Sequence, residues 1–439
     1  MPLSARKVAI VIGVLAILGA AFAVKKYLPA LRPVVERIAL TTGLRAPFGA
    51  PPADITRFLP DDSIPPQAIN ETNLPLKIPP GFKISIFAKD LAGSRVMRFD
   101  QFGNLWVSRT SEGALTLLEI KDGAVEHQGD IFTDLRKPHG LAFDPGRPLQ
   151  LYIVEEHRIR RVTTYSDDPG EHVLGLPTAG GGHFTRTIGF GPDGKLYVSV
   201  GSSCNACQEE DERRAAILSY DPATRKSEIF ARGLRNAVFF AWHPATGKLW
   251  ATEMGRDWLG DDLPPDEINV VEGGGPSTAL GASDYGWPVC YGKNVHDTDF
   301  DPVPSPQAGS YGAGKNVYVR DPCADKKPSA IDIPAHSAPL GLAFIPANSS
   351  WPEDYWYDLL VSYHGSWNRS EPTGYKVVRH KFDAHGNYGG AEDFITGWLT
   401  PEGALGRPVD ILIQPDGAAY ISDDKAGVIY RVSVIEAPR

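Results

Sequence analysis

His183 stands in "GGGHFTRTIGFGPDGKLYVSVGS", residues 180–202, which reads as a three-glycine run, a strand, a Pro-Asp-Gly turn and a second strand. A β-hairpin needs only something polar at its start. An imidazole placed there is a candidate for proton transfer, because its ordinary pKa lies near neutrality. Comparable positions ahead of other strand-like segments carry His139, Arg235 with Asn236, His336 and Arg407. Solvated loop ends are expected to mix Ser, Asp and Lys, whereas this set is rich in residues that move protons and bind anions. For His139 and His336, hydrogen bonding to the loops that carry the chain inward is the simpler expectation. For His183, chemistry is.

The elements that would bring these residues together are repeats. The hairpin after His183 has relatives in "RVMRFDQFGNLWVSR" from Arg95, "HGLAFDPGRPLQLYIVEEHRIRRV" from His139 and "RNAVFFAWHPATGKLWATE" from Arg235. "PLGLAFIPANSSWPEDYWYDLLVSYHGS" from Pro339 and "RPVDILIQPDGAAYISDDKAGVIYRV" from Arg407 complete a set of six. The first four recur at roughly 40 to 50 residues, the period of propeller blades. Later gaps are longer and leave room for insertions such as residues 270–335. With 45 glycines and 38 prolines in 439 residues, many short strands joined by turns are expected, not a helical fold. The pattern predicts an all-β, six-bladed β-propeller over residues 78–435. In a propeller the first strand of each blade lines the central channel, so residues just ahead of those strands converge at one mouth.

The N-terminus is a separate object. Val8 to Val24 is an uncharged run between Arg6-Lys7 and Lys25-Lys26, at the short limit for spanning a bilayer. Ala21-Phe22-Ala23 also fits a signal-peptidase site. The expectation is a signal or anchor helix over residues 1–30 and a Pro-rich tether over 31–77. The body would then be exported to the periplasmic side of the inner membrane. Cys204 and Cys207 form a CxxC, while Cys290 and Cys323 lie in Pro- and Gly-rich loops with no metal-ligand spacing. Two disulfides, Cys204–Cys207 and Cys290–Cys323, suit an oxidising compartment. The net charge of −9 gives no footprint for nucleic acid.

From about Ile78 to Arg431 the chain resembles the glucose/sorbosone dehydrogenase family, soluble-type quinoprotein propellers that use pyrroloquinoline quinone and calcium. The motifs that carry the resemblance are "GGHFTRTIGFGPDGKLYVSVG", "GLRNAVFFAWHPATGKLWATEMGRDWLGDDLPPDEINVV", "DYGWPVCYG" and "GRPVDILIQPDGAAYISD". The resemblance implies that His183 is the general base that takes the hydroxyl proton as hydride passes to the quinone. It places Arg235 and Asn236 beside the quinone oxygens, where the guanidinium can stabilise developing charge. Arg407 and Arg369 answer the three cofactor carboxylates. The active-site calcium would take the main-chain carbonyls of Gly255 and Arg256. Asp266 would lie near the cofactor, and Glu267 would help bind a second, structural calcium.

Two positions depart from the family pattern. Met254 replaces a polar side chain beside the calcium loop, and Val409 replaces a second cofactor-binding arginine. The implied function is oxidation of a sugar or sugar-derived aldehyde. No CxxCH is present, so the electrons are expected to pass to a separate respiratory acceptor, a cytochrome or a quinone. Two rivals remain at this stage. A calcium-dependent lactonase-type hydrolase needs acidic ligands in the channel, where the mouth positions are mainly His and Arg. A non-catalytic propeller that binds carbohydrate or a partner would use rim aromatics, for which Trp258, Trp287 and Trp367 are candidates.

Overall fold

The computed structural model describes residues 66–178, 182–274, 282–300 and 321–435. Six four-stranded antiparallel blades follow one another round a ring, and each of the six sequence hairpins supplies the two innermost strands of one blade. The first blade is built from Ser94–Phe99, Leu105–Arg109, Ala114–Lys121 and Ala124–Phe132. The second uses Leu141–Asp144, Arg147–Glu155, Arg158–Thr163 and Glu171–Gly175. The third uses Ile188–Phe190, Leu196–Val200, Ala216–Asp221 and Lys226–Arg232. The fourth begins with Phe240–Trp242, Leu249–Glu253 and Asp266–Val271, and takes its outer strand, Ile331–Ile333, from beyond a long excursion. The fifth comprises Pro339–Phe344, Leu359–Tyr363, Lys376–Phe382 and Tyr388–Ile395.

The sixth blade closes the ring. Pro408–Ile413, Ala419–Asp423 and Val428–Val434 are completed by Phe82–Ala88, whose Phe82 pairs with Val434. Phe82 is 1% exposed, and its ring lies 4.9 Å from Trp351, 5.2 Å from Tyr355 and 5.2 Å from Phe394, so an aromatic cluster backs the seam. Residues ahead of 78 also join the body: Ile69–Asn70 pairs in parallel with Phe82–Ala88, and Leu76 is buried. Small residues let inner strands approach one another. A Cβ on Gly140 would meet the Ile188 nitrogen at 2.6 Å. Asp410, buried, ties the sixth blade to the first by accepting the Met97 N–H at 2.9 Å and pairing with Arg98 at 3.1 Å.

The excursion between the third and fourth strands of blade four runs through the predicted insertion. Within it Ser283–Asp284 adds a parallel edge to Lys226–Arg232 of blade three. Both expected disulfides are formed, Cys204–Cys207 across three positions and Cys290–Cys323 across 33. The predicted anchor, Val8 to Val24, and the tether as far as residue 65 lie outside the described residues. Among the described residues no helix is long and apolar enough to cross a membrane.

Candidate active site

His183 reaches the mouth on the loop into blade three and is half-buried. Its Nδ1 lies 2.8 Å from Ser202 Oγ and 3.1 Å from the Ser202 carbonyl oxygen. A carbonyl only accepts, so Nδ1 carries the hydrogen. The Ser202 hydroxyl proton is spent on the Cys204 carbonyl at 2.7 Å, which leaves Ser202 Oγ an acceptor as well. The lone pair is therefore on Nε2, the arrangement a general base requires. Burial, then the charges of Arg235, Arg186 and Arg214, push the imidazole pKa down to about 3. The ring is thus neutral and able to accept a proton throughout the physiological range. Arg186 Nη1 donates to the His183 carbonyl at 2.8 Å, and Arg186 and Arg214 both donate to Pro177, so two buried guanidiniums shape this loop. Among the described residues neither has a carboxylate within ion-pair distance, and burial pushes Arg186 down to about 9.

Gly201 brings His183 against the next blade. A Cβ there would meet Asn236 Oδ1 at 2.5 Å and His183 Cβ at 2.7 Å, so only glycine allows the approach. Arg235, 4% exposed, is held on every side. Nε donates to the Asn205 carbonyl at 2.9 Å, Nη2 to Asn205 Oδ1 at 2.9 Å and Asp257 Oδ2 at 3.1 Å, and Nη1 to Gly255 O at 2.8 Å and Met254 O at 3.2 Å. Met254 presents a soft acceptor: Asn236 Nδ2 points at its sulfur at 3.5 Å.

The opposite wall contains residues the sequence reading did not single out. Arg95 pairs with Asp424 at 2.7 Å, and Asp424 also accepts from His364 Nε2 at 2.9 Å. Burial would raise the Asp424 pKa, but His364, Arg95 and Arg407 hold it at about 2. Burial pushes His364 to about 4, so it donates as a neutral ring. Arg407 Nε donates to the His364 carbonyl at 3.0 Å and Nη2 to Gly365 O, with no ion-paired carboxylate among the described residues. A cavity of about 350 Å³ opens here between Arg95, Asp424, Thr110, Ser111 and Lys137, with Phe184, the neighbour of His183, on its wall. Lys137 Nζ sits 4.0 Å over the Phe184 ring. Arg95 lies one residue inside the first strand of its blade, so a search of the positions ahead of the strands passes it by.

Other expected residues serve as struts. His139 is fully buried with Nδ1 3.1 Å from the Arg186 carbonyl, and His336 Nε2 lies 2.8 Å from the Gly260 carbonyl, the loop-tying roles expected for both. Arg369 sits on the rim, bonded to the Asp261 carbonyl and paired with Asp262 at 2.8 Å, so its charge is already matched. Beside it Trp258 and Trp367, 70% and 68% exposed, meet edge to face at 5.7 Å. Val409 is core.

Pyrroloquinoline quinone fits this mouth, because Arg95 and Lys137 line an open cavity, and Lys137 and Arg407 have no carboxylate partner among the described residues. Calcium fits the Gly255 carbonyl poorly, because it already accepts Arg235, which puts a guanidinium where a cation would bind. Asp266 spends its two oxygens on the Gly255 and Ala338 N–H groups, each at 2.8 Å. Buried oxygen groups lie on the same pair of strands. Glu267 and Glu253 are cross-strand partners, both buried; Glu267 accepts from Asn269 Nδ2 at 2.9 Å and the Gly292 N–H at 2.6 Å, whereas Glu253 Oε2 and Asn269 Oδ1 have no hydrogen-bond partner. Burial pushes Asp266 and Glu267 up to about 7 and Glu253 well above its usual range, outweighing the charges of Arg235 and Lys293.

A pyrroloquinoline quinone-dependent pyranose dehydrogenase of Coprinopsis cinerea is 24% identical over 411 residues, covering 82% of this chain; the chain spans about half of that protein, 54%. An uncharacterised protein of Borreliella burgdorferi is 31% identical over 390 residues, covering 83% of this chain and 92% of its own. A Trichoderma reesei structure of carbohydrate-active enzyme family AA12 superposes with a TM-score of 0.68 at 22% identity, over 83% of this chain and 99% of that one. The holo quinone domain of the Coprinopsis enzyme superposes at 0.66 and 22% identity, over 84% and 99%. These superpositions establish the common six-bladed fold. The family model described as TrAA12-like matches residues 76–434, most of the described body, and the chain belongs to that family.

Proposed function

We propose that this protein is a pyrroloquinoline quinone-dependent dehydrogenase of sugars or sugar-derived aldehydes. It would work outside the cytoplasm, held to the membrane by its N-terminal segment, and pass electrons to a separate respiratory acceptor. The observation that carries the reading is a neutral imidazole with its Nε2 lone pair free, set among cations that lack carboxylate partners. A buried guanidinium without a counter-ion is costly, and a polyanionic ligand offsets that cost. The names of the Coprinopsis enzyme and of the Trichoderma family support a carbohydrate substrate, as do the exposed rim tryptophans.

Bound quinone supplies the two-electron acceptor. His183 Nε2 takes the proton of the substrate hydroxyl, while Ser202 keeps Nδ1 protonated and the ring oriented. Arg235 stabilises negative charge developing beside it. Arg407 and Lys137 hold carboxylate groups, and Phe184 excludes water from one side. A calcium ion would find its open oxygens on Glu253 and Asn269, and would take Glu267 only in exchange for its bonds to Asn269 and Gly292, with no step of the reaction assigned to it.

The test is titration of cofactor-free protein with pyrroloquinoline quinone, followed by addition of aldoses. Saturable binding and bleaching of the oxidised-quinone absorbance by a sugar are expected. Absence of saturable binding overturns the reading.

A further inference from the structure

The Cys204–Cys207 bridge closes a loop too short to stabilise the fold much by chain entropy, in contrast to Cys290–Cys323, which spans 33 positions. What lies inside and beside the short ring is more informative. Asn205, between the two cysteines, accepts from Arg235 through both its carbonyl and its Oδ1, each at 2.9 Å. The same Oδ1 accepts the Asp257 N–H at 2.8 Å, and Nδ2 donates to the Asp257 carbonyl at 3.0 Å. Asp257 in turn pairs with Arg235. One side chain therefore fixes both the guanidinium and the carboxylate that balances it. Ser202, which sets the tautomer of His183, gives its hydroxyl proton to the carbonyl of Cys204, the first residue of the ring.

We propose that Asn205 is the positioning residue for Arg235, and that the Cys204–Cys207 bridge is present to hold Asn205 and the Cys204 carbonyl in place. The proposal rests on the roles given above to His183 and Arg235. It explains a CxxC that is neither a metal site nor a thiol pair at a helix start: the bridge orders a loop that touches base and arginine at once. With the bridge open, Asn205 lies on a free loop, Arg235 loses its bidentate partner, and Ser202 Oγ loses the acceptor that fixes its proton.

The charged groups facing His183 are Arg186 on its own loop, Arg214 ahead of the third strand of its blade, and Arg235 from the next blade. Only Arg235 is held by Asn205, so its release should be legible in the titration of His183.

The experiment compares wild type with Asn205→Ala, Asn205→Asp and the Cys204→Ser/Cys207→Ser double variant, all in the full chain. Quinone affinity is read by quenching of tryptophan fluorescence, and the His183 imidazole is titrated by NMR in cofactor-free protein. Asn205→Ala should weaken quinone binding about tenfold or more, the effect of one charge-assisted hydrogen bond. It should also move the His183 titration upward. Asn205→Asp keeps the Oδ1 acceptor but adds a carboxylate against Arg235, so it should raise the His183 titration further than Asn205→Ala does. The double variant should behave like Asn205→Ala while Cys290–Cys323 stays intact. Wild-type His183 titration and wild-type quinone affinity in Asn205→Ala overturn the proposal, as does an Asp variant in which His183 titrates as in wild type. Should the double variant not fold, the two Asn205 variants decide alone. Should wild type bind no quinone, the proposed function fails, and the His183 titration still decides the role of Asn205.

Discussion

Glu253 and Glu267 face each other across neighbouring strands of the fourth blade, both buried. Asp266 adds a third carboxyl on the same strand. Burial raises Asp266 and Glu267 to about 7, so the folded protein retains protons that the unfolded chain has lost by about pH 5. The contribution of these carboxyls to stability should therefore fall as pH rises from about 4.5 to 7 and level off above, by about 3 kcal/mol for Glu267 alone, against the opposite slope set by the buried neutral imidazoles of His183 and His364. Denaturant titrations at pH 5 and pH 8 in the presence of a chelator measure this slope. Glu267→Gln should flatten it, and calcium should restore stability at pH 8 in wild type but not in the variant. An identical change in stability from pH 5 to pH 8 in wild type and Glu267→Gln would mean that Glu267 is ionised in the native state.

His183→Ala should leave quinone affinity nearly unchanged and lower turnover by about 10² to 10⁴. Because the imidazole pKa is held near 3, kcat/KM of the wild type should stay level from pH 7 down to about pH 5, well above the point where this base is protonated. A variant turning over sugar at near wild-type rate assigns the base elsewhere.

Arg407→Ala should weaken quinone binding by about 1.5 to 3 kcal/mol while slowing turnover at saturating cofactor much less. Fluorescence titration and steady-state rates on the same preparation separate the two effects. Unchanged affinity would assign Arg407 to holding the His364–Gly365 backbone.

Phe82→Ala removes the centre of the aromatic cluster at the ring seam and should cost about 3 to 5 kcal/mol of stability. Quinone affinity measured well below the melting temperature should not change, since Phe82 lies far along the strand from the mouth residues. A loss under about 1 kcal/mol would show that the seam is held by strand pairing instead.

Much of the fold was legible because each blade repeats a local pattern: strand, turn, strand, with small or apolar residues facing inward. His183, Arg235 and Asn236 were legible for the same reason, since a repeated position maps to one rim of the ring. The partners of these residues were not, because they arrive from elsewhere. Arg95 meets Asp424 across 329 positions, and Asp257 reaches Arg235 by a loop that no periodicity marks. Arg369 was placed by its charge, but its charge is met by Asp262 at the rim. The Gly255 carbonyl was assigned to calcium by resemblance, and here it receives a guanidinium, a choice set by side-chain geometry that backbone pattern does not encode.

Closing the ring with Phe82–Ala88 also sets an order of events for the growing chain. The strand emerges among the first elements of the body, yet the partner of Phe82 is Val434, about 350 positions later, so five blades can form while the sixth waits. During that wait an apolar edge strand is unpaired, and such edges invite intermolecular pairing. Folding yield should therefore depend on chaperones that mask Phe82–Ala88 until synthesis reaches Val428–Val434, and a chain stopped short of those residues should accumulate as aggregate even though five complete blades precede the break.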